Sequence, residues 1–445
     1  MSTTRSLPLE PASKALLRRV VVASTIGNAF EWFDFTVFGL FILVIAREFF
    51  SAASHAGSLL LGTATLGVAF IFRPVGGIVF GLYADRVGRK RAVALVVLLM
   101  ALATAGLGLI PGYASIGLAA PLLVVGARIL QGFSAGGEFS SATALLVEYA
   151  PAGRRGFYGS FQMCSQALAV TLAGLAVYVL SDQLSSAALH SWGWRIPFLF
   201  GILVGPVGFY IRRRLQESPE FSAYRHAHPS PTTADIKTGL IGARRSLLSG
   251  FGLTVAATVP FYVTYIYMPI FAVRELHLSL AQSSLPTMLC GVVLTALCPL
   301  TGYLSDHWGR KRMLVTAMIL YALAVLALTA RVLHAPSFGN YLVLQFVATL
   351  CMAFVWGPYP TAVTEAVPVG VRATGVALIY NSSVMLFGGL APFFITAIIG
   401  VTGNAMAPAL YVAGGVLLAL LSYGIWGQDI TVPRKTGEAA NQAIV

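Results

Sequence analysis

Twelve long apolar stretches follow one another along this chain, and each is long enough to cross a membrane. A helix needs about 20 mostly apolar residues to span the hydrocarbon core of a bilayer. Only helices and closed barrels satisfy their backbone hydrogen bonds there, and stretches of this length without alternation predict helices. The predicted spans, numbered one to twelve, cover residues 20–46, 57–83, 92–111, 119–147, 157–181, 194–211, 247–273, 279–304, 313–331, 340–364, 374–401 and 408–427.

The composition argues against a water-soluble enzyme. Only 10% of the residues are charged, whereas soluble domains carry about 25%. No histidine lies in the middle of a predicted span, no HExxH motif occurs, and the four cysteines form no pair at metal-ligand spacing. We therefore expect no enzyme, no metal and no cofactor. The Walker P-loop that ATP-driven transport requires is also missing from the sequence.

The basic residues are distributed unevenly between the two sides of the predicted membrane domain. Cytoplasmic loops of membrane proteins carry an excess of Lys and Arg. With a cytoplasmic N-terminus, most of the 29 basic residues fall in loops on that side, which predicts that both termini are cytoplasmic. These loops are short and separate, so the net charge of +13 forms no nucleic-acid surface. The outer side holds Arg47, Arg195, Arg274 and Arg331.

The chain divides into two related halves. The pattern Gly-x3-Asp-x2-Gly-Arg-Lys-Arg begins at Gly81 and again at Gly302, and Glu-x2-Pro-x3-Arg begins at Glu148 and again at Glu365. Both patterns occupy matching places in the two sets of six spans, which indicates an internal repeat. A binding site between two such halves is typical of secondary transporters. We predict an N-terminal six-helix bundle over 1–211, a cytoplasmic linker over 212–246 and a C-terminal six-helix bundle over 247–445.

Five charged residues interrupt the apolar spans of the first half. Each charge costs about 2.5–3.5 kcal/mol at the centre of a bilayer, so we expect the five to face one polar cavity and to neutralise each other in part. Helical spacing supports a shared face, because side chains three or four residues apart lie on one side of a helix. The five residues are Glu31, Asp34, Arg73, Arg128 and Glu138.

These charges suggest how a proton and an anion are carried together. We predict that a carboxylate among Glu31, Asp34 and Glu138 accepts the transported proton, because no histidine is available in mid-span. The guanidinium fork of arginine matches a carboxylate, so Arg73 and Arg128 indicate an organic anion as substrate. An anion that engages an arginine would release its carboxylate partner to bind the proton. The alternative is that both arginines form fixed structural ion pairs with the acids.

Neutral polar residues complete the predicted substrate site. Asn28 shares the stripe of Glu31, and Gln131 shares that of Arg128. Gln162 and Gln166 lie one helical turn apart and could bind a ligand or bond to neighbouring helices. Tyrosines of the second half could form the side of the substrate site that faces the first half. The alternative is that they anchor helix ends at the membrane–water interface, where aromatic residues are enriched. The candidates in the second half are Tyr262, Tyr265, Tyr380, Asn381 and Ser382, of which we select Tyr265 and Asn381.

Several motifs carry a family resemblance. The loop pattern over 81–91 resembles the signature of the major facilitator superfamily. The resemblance implies an all-α fold of twelve membrane-spanning helices in two pseudo-symmetric bundles, alternating access, and proton-driven uptake across the bacterial inner membrane. It also implies that Asp85, Arg89, Asp306 and Arg310 clamp the two halves together in one conformation. Further motifs resemble the metabolite:proton symporter family within it: GNAFEWFDF (27–35), FRPVGG (72–77), QGFSAGGEF (131–139), WGWRIPF (192–198) and QESPEF (216–221).

The family includes carriers of citrate and tricarballylate, 2-oxoglutarate, shikimate, and proline or betaine. Residues 156–170 resemble the carriers of di- and tricarboxylates, and no heptad pattern follows Trp426, where proline/betaine carriers have a long helical tail. We therefore expect a monomer in the lipid bilayer that takes up a di- or tricarboxylate with protons. The alternatives are shikimate, a zwitterionic osmolyte, or a nutrient sensor with the same fold that transports nothing. Drug export is disfavoured because 157–181 lacks the G-x3-G-P-x2-G-G motif.

Overall fold

A computed structural model describes residues 14–87, 89–201, 233–368 and 371–426. Every regular element within these ranges is a helix, which confirms the predicted all-α class. The helices of the first half are Lys14–Leu40, Ile42–Phe49, His55–Val87, Arg89–Leu109, Tyr113–Ile116, Ala119–Ala135, Glu138–Glu148, Arg155–Gly159, Phe161–Gln183, Ser186–Ser191 and Gly193–Arg195. Those of the second half are Thr233–Gly242, Arg244–Phe261, Tyr262–Tyr267, Met268–Arg274, Leu280–Trp308, Arg310–His334, Phe338–Trp356, Tyr359–Ala366, Arg372–Ser383, Val384–Gly389, Ala391–Thr402 and Ala407–Trp426.

Most of the predicted spans are single long helical stretches. Among the described residues, nine stretches are long and apolar enough to cross a membrane, and a bent pair in span one makes a tenth. In predicted span three the apolar helix Leu98–Leu109 is shorter than these. Residues 202–211 of predicted span six lie outside the described residues, as does most of the predicted linker. The end of the linker is helical, over Thr233–Gly242.

Predicted span one, over 20–46, consists of two helices. It bends by 67° where the helix Lys14–Leu40 ends and the helix Ile42–Phe49 begins. The bend brings the second helix against span two, where Gly62 leaves room for Ala46. An apolar run fixes the length of a membrane segment but does not specify its direction, so the bend was not evident in the hydropathy.

Spans four and ten are interrupted at matching places of the repeat. Span four breaks at Gly136 and Gly137, and span ten breaks at Gly357 and Pro358. Glycine is a poor helix former and proline lacks the amide hydrogen that a helix needs. The breaks therefore follow from the local sequence, and they place the start of Glu138–Glu148 near the middle of the molecule.

Glycines bring spans two and four into backbone contact. A Cβ atom on Gly132 would overlap the carbonyl oxygen of Ala69, and one on Gly136 would overlap that of Arg73. Gly76 lies equally close to the carbonyl oxygen of Phe133. Only glycine permits such an approach. The glycines of the FRPVGG and QGFSAGGEF motifs thus fix the depth at which Arg73 sits beside span four.

A continuous apolar core joins the two halves around the middle of the spans. The ring of Trp32 meets that of Phe261 edge-on at 5.4 Å, and Phe70 meets Tyr262 in the same way at 5.4 Å. Trp356 stacks on Phe261 from behind at 5.1 Å. Arg73 of the first half lies next to this aromatic contact, 5.4 Å from the ring of Trp32 and 5.0 Å from that of Phe70.

Candidate functional site

The buried charges of the first half form two ion pairs. Arg73 Nη2 lies 2.5 Å from Glu31 Oε1, and Arg128 Nη1 lies 3.5 Å from Asp34 Oδ2. All four side chains are at most 7% exposed. The ring of Phe35 lies between the pairs, 4.9 Å from the Cζ atom of Arg73 and 4.6 Å from that of Arg128. The site therefore contains two neighbouring ion pairs with an aromatic ring between them.

The pair of Asp34 and Arg128, called the inner pair, is held inside the first half. Gln131 Nε2 donates hydrogen bonds to Asp34 Oδ2 at 2.7 Å and to Thr104 Oγ1 at 3.0 Å, while its Oε1 accepts one from Arg128 Nη1 at 2.8 Å. The ring of Phe38 covers the arginine at 4.2 Å. Asp34 Oδ1 and Arg128 Nη2 have no hydrogen-bond partner in the part of the chain that the structure describes. Both ions therefore retain capacity for another partner.

The pair of Glu31 and Arg73, called the interface pair, faces the second half. The rings of Trp32, at 5.4 Å, and Phe70, at 5.0 Å, flank the guanidinium group. Tyr262 and Tyr380 of the second half interact electrostatically with Arg73. Arg73 is thus a cation from one bundle that is presented to the phenol groups of the other bundle.

Glu138, the third predicted carboxylate, has a different environment. It begins the second helix of span four and is only partly buried. It interacts electrostatically with Arg73. The three candidate acids therefore occupy three environments: an interface, an enclosed pocket and a partly exposed helix start.

The amide side chains divide into a linking set and one that faces the interface. Asn28 Nδ2 donates to Ser165 Oγ at 2.5 Å, and Gln162 Nε2 donates to Asn28 Oδ1 at 3.1 Å. These bonds tie span one to span five. Gln166 lies beside Tyr380 of the second half and interacts with its hydroxyl group. Gln166 is therefore the amide best placed to meet a ligand between the halves.

In the second half, Tyr262 is a tyrosine that faces both buried arginines. It interacts with both Arg73 and Arg128, whereas Tyr265 donates to or accepts from Thr349 Oγ1 at 2.7 Å inside its own bundle. The ring of Tyr380 stacks on Phe139 at 3.6 Å. The structure thus directs Tyr262 and Tyr380 to the interface.

Two other residues of the second half complete this comparison. Asn381 Nδ2 donates to the carbonyl oxygen of Gly136 at 2.8 Å, so it contacts the break in span four. The hydroxyl of Ser382 donates to the carbonyl oxygen of Leu378 in its own helix. Sequence reasoning missed Thr104 and the aromatic rings around the arginines. The aromatic residues of EWFDF were the available signal for the rings.

A second polar cluster links the halves at the end of the molecule that carries Asp306, called the basic end. Asp306 accepts hydrogen bonds from the backbone amides of Gly156 at 2.8 Å and Phe157 at 3.1 Å. Arg310 lies 2.9 Å from Asp306 and 2.7 Å from Glu365. The second copy of the repeated loop pattern therefore holds the start of span five, which belongs to the first half.

The other repeated pattern supplies further contacts between the halves. Arg372 lies 3.0 Å from Glu148, and Arg155 lies 4.0 Å from Glu365. These four residues begin and end the pattern that the sequence repeats, yet sequence reasoning gave them no role. The side chains of the predicted clamp residues Asp85 and Arg89 lie outside the described part of the structure. Within that part, no group of three or more His, Cys, Asp and Glu residues could hold a metal ion.

Comparisons with known proteins agree with this architecture. The family model described as Major Facilitator Superfamily matches residues 24–392 and 251–441. A citrate-proton symporter of Klebsiella pneumoniae is 38% identical over 90% of this chain and 90% of its own. A proline/betaine transporter of Escherichia coli (strain K12) is 31% identical, over 91% and 82%. The xylose transporter XylE from E. coli, in a partially occluded inward open conformation, superposes with a TM-score of 0.71 at 18% identity, covering 92% of this chain and 99% of that chain.

Proposed function

Because the chain belongs to the Major Facilitator Superfamily, we propose that it is a secondary transporter that takes up a small organic acid, a di- or tricarboxylate, together with protons by alternating access. The relatives named citrate-proton symporters are 37–38% identical over 90% of the chain. The single observation that carries the proposal is the interface pair, a buried Glu31–Arg73 ion pair between the two bundles.

The proposed coupling is an exchange of partners on Arg73. A substrate carboxylate takes the place of Glu31 on the guanidinium group, whose fork suits bidentate binding. Glu31 then binds a proton, because an acid that has lost its cation and stays buried is unstable as a charged group. The three acids Glu31, Asp34 and Glu138 outnumber the two arginines, so an incoming anion adds negative charge to a site that has no cation to spare. Protonation offsets that charge.

The inner pair provides a second protonation site, and the proposal keeps Arg128 and Gln131 among the residues that bind the substrate. Phe35 and Phe38 cover Arg128, and Gln131 bridges the arginine and Asp34. A proton on Asp34 weakens its attraction to Arg128 and so loosens span one from span four. Glu138, at the partly exposed helix start, is the third proton acceptor of the proposal. The amide groups around the substrate come from Asn28, Gln162, Gln166 and Asn381. Tyr265 supports the side of the site formed by the second half, through its hydrogen bond with Thr349.

We assign conformational clamping to the basic end. Asp306 and Arg310 hold the start of span five by two backbone hydrogen bonds and an ion-pair network. Their repeat partners Asp85 and Arg89 are proposed to act in the same way. Opening of this end requires these contacts to separate, which exposes the site to that side. The basic residues predict that this side is the cytoplasm and that both termini lie inside. Family membership supports a place in the bacterial inner membrane, and we propose that the protein is a monomer there.

Uptake into proteoliposomes tests the proposal. An acid-outside pH gradient is imposed, and the uptake of labelled citrate, 2-oxoglutarate, shikimate, proline and betaine is measured in separate assays. We expect uptake of organic acids. Uptake of proline and betaine alone would assign the chain to the osmolyte branch, and no uptake of any of these compounds would favour the sensor alternative.

Carboxylate variants test the coupling. Glu31→Gln and Asp34→Asn should abolish accumulation driven by the pH gradient but retain substrate exchange across the membrane, because exchange needs no net proton movement. Asp182→Asn, an exposed acid in span five, is the matched control and should behave as wild type. Undiminished proton-driven uptake in Glu31→Gln, Asp34→Asn and Glu138→Gln would overturn the proposed coupling.

A further inference from the structure

A groove with a volume of about 470 Å³ lies between spans nine and ten, away from the interface of the two halves. Its walls are apolar side chains of both spans, including Leu320, Leu350 and Phe354. The exposed side chains of Trp308, at 62%, and Leu320, at 53%, mark the surface on which it opens. In a membrane-spanning chain this surface faces lipid, so the groove is positioned to take an acyl chain.

One cation, Arg312, borders this groove and has no ion-pair partner among the described residues. Arg312 lines it together with Trp308. Arg312 is exposed, and no residue that the structure describes forms an ion pair with it, whereas the adjacent Arg310 is paired with Asp306 and Glu365. Arg312 also lies in the first turn of its helix, where the helix dipole adds positive charge and cannot compensate a cation. The groove therefore presents an uncompensated positive charge beside an apolar channel.

The dimensions agree with a phospholipid. Arg312 and Leu320 are eight residues apart on one helix, which corresponds to about 12 Å. One leaflet of the hydrocarbon core is roughly 15 Å deep, so the groove extends from the membrane surface through most of one leaflet. Trp308 lies at the end of span eight beside the cation, and tryptophan is enriched at the level of lipid headgroups.

We propose that this groove is a binding site for an anionic phospholipid. One acyl chain lies between spans nine and ten against Leu320, Leu350 and Phe354, and the phosphate meets the guanidinium group of Arg312. A zwitterionic phospholipid fits the channel equally well but brings no net charge to Arg312. The site therefore discriminates between headgroups, and it does so independently of whether the chain transports an organic acid.

Brominated lipids test the site, because bromine quenches tryptophan fluorescence at short range. The protein is reconstituted in phosphatidylcholine, and dibrominated phosphatidylglycerol or dibrominated phosphatidylcholine is added in increasing mole fraction. The contribution of Trp308 is the difference between wild type and Trp308→Phe. We expect dibrominated phosphatidylglycerol to reach half-maximal quenching of this contribution at about a fivefold lower mole fraction than dibrominated phosphatidylcholine. A preference of this size is what one basic side chain contributes to the binding of anionic lipid.

Variants of Arg312 test whether its charge causes the preference for the anionic lipid. Arg312→Gln should remove the preference, and Arg312→Lys should keep it. Arg245→Gln removes an exposed arginine of span seven and should leave the preference unchanged. Equal quenching by both lipids in wild type, or a preference that survives Arg312→Gln, would overturn the proposal. If Trp308→Phe does not fold, native mass spectrometry of wild type and Arg312→Gln gives the same comparison through retained phosphatidylglycerol.

Discussion

The two halves share a repeated backbone plan but differ in the polar groups that they bury. The first half buries two ion pairs in mid-span, Glu31–Arg73 and Asp34–Arg128. In the described part of the second half, Arg372 is the one buried charged side chain, and it lies at the basic end. The middle of that half contains neutral hydrogen bonds instead.

These neutral bonds form a fixed network. Thr264 and Tyr321 are joined at 2.5 Å, and Gln345 donates to the Tyr341 hydroxyl at 2.8 Å. Such groups do not titrate near neutral pH, so they cannot take up a transported proton. A pseudo-symmetric fold therefore does not require the same polar groups in both halves. The first bundle supplies acids that bind and release protons, and the second bundle supplies neutral side chains whose hydrogen bonds stay fixed. Substitutions in the first bundle should therefore change stability and transport more than substitutions in the second bundle.

The largest effect is expected at the inner pair. Removing one member of a buried ion pair leaves an uncompensated charge and costs about 3–5 kcal/mol. Arg128→Gln should therefore lower the stability of the protein in detergent strongly, as measured by thermal unfolding. The double variant Asp34→Asn/Arg128→Gln removes both charges and should recover much of this loss. A double variant as unstable as the sum of the single variants would show that the two residues do not act as a pair.

The next effect concerns the interface pair. Arg73→Lys keeps the positive charge but loses the planar fork. Hydrogen bonds to charged groups contribute about 1.5–3 kcal/mol, so we expect the KM for the organic acid to rise about 10- to 100-fold while thermal stability changes little. Arg331→Lys, an exposed arginine at the far end of span nine, is the control. An unchanged KM in Arg73→Lys would remove this arginine from the substrate site.

A smaller effect is expected where the halves meet at the basic end. Asp306→Asn replaces a carboxylate that accepts two backbone hydrogen bonds from Gly156 and Phe157. Partly exposed ion pairs contribute about 0–1 kcal/mol, so hydrogen exchange of these two amides should become severalfold faster. The control is the helix Ser186–Ser191, at the opposite end of the first half. Its amides should exchange at the wild-type rate. Unchanged exchange at residues 156 and 157 would show that Asp306 does not hold the halves together.

Much of the architecture could be predicted from the sequence. Long apolar runs gave the spans, and charges within them marked the residues that the structure buries in ion pairs. The partner of each acid could not be predicted, because it depends on the register between helices. Gly76, Gly132 and Gly136 set that register by backbone contact, and the sequence reasoning did not use them for this purpose. The repeat of Glu148 and Arg372 was visible, but contact between them depends on how the bundles pack.

The choice between Tyr262 and Tyr265 shows another limit of helical periodicity. Residues three apart share a face of an α-helix, so both tyrosines were candidates for the same wall. The segment Tyr262–Tyr267 is a π-helix that follows Pro260. Its wider turn rotates the later residues away from their α-helical positions. Tyr262 therefore lies near Arg73, whereas Tyr265 bonds to Thr349.

This difference predicts the smallest effects. Tyr265→Phe removes one hydrogen bond between spans seven and ten, which costs about 0.6–2 kcal/mol in a membrane, and it should leave the KM for the organic acid within about twofold. Tyr262→Phe removes a hydroxyl near Arg73 and should raise the KM severalfold without changing stability. Thermal unfolding and uptake kinetics of both variants measure these quantities. A Tyr265→Phe protein that loses transport as severely as Arg73→Lys would contradict the division between a charged bundle that changes state and a neutral bundle that stays fixed.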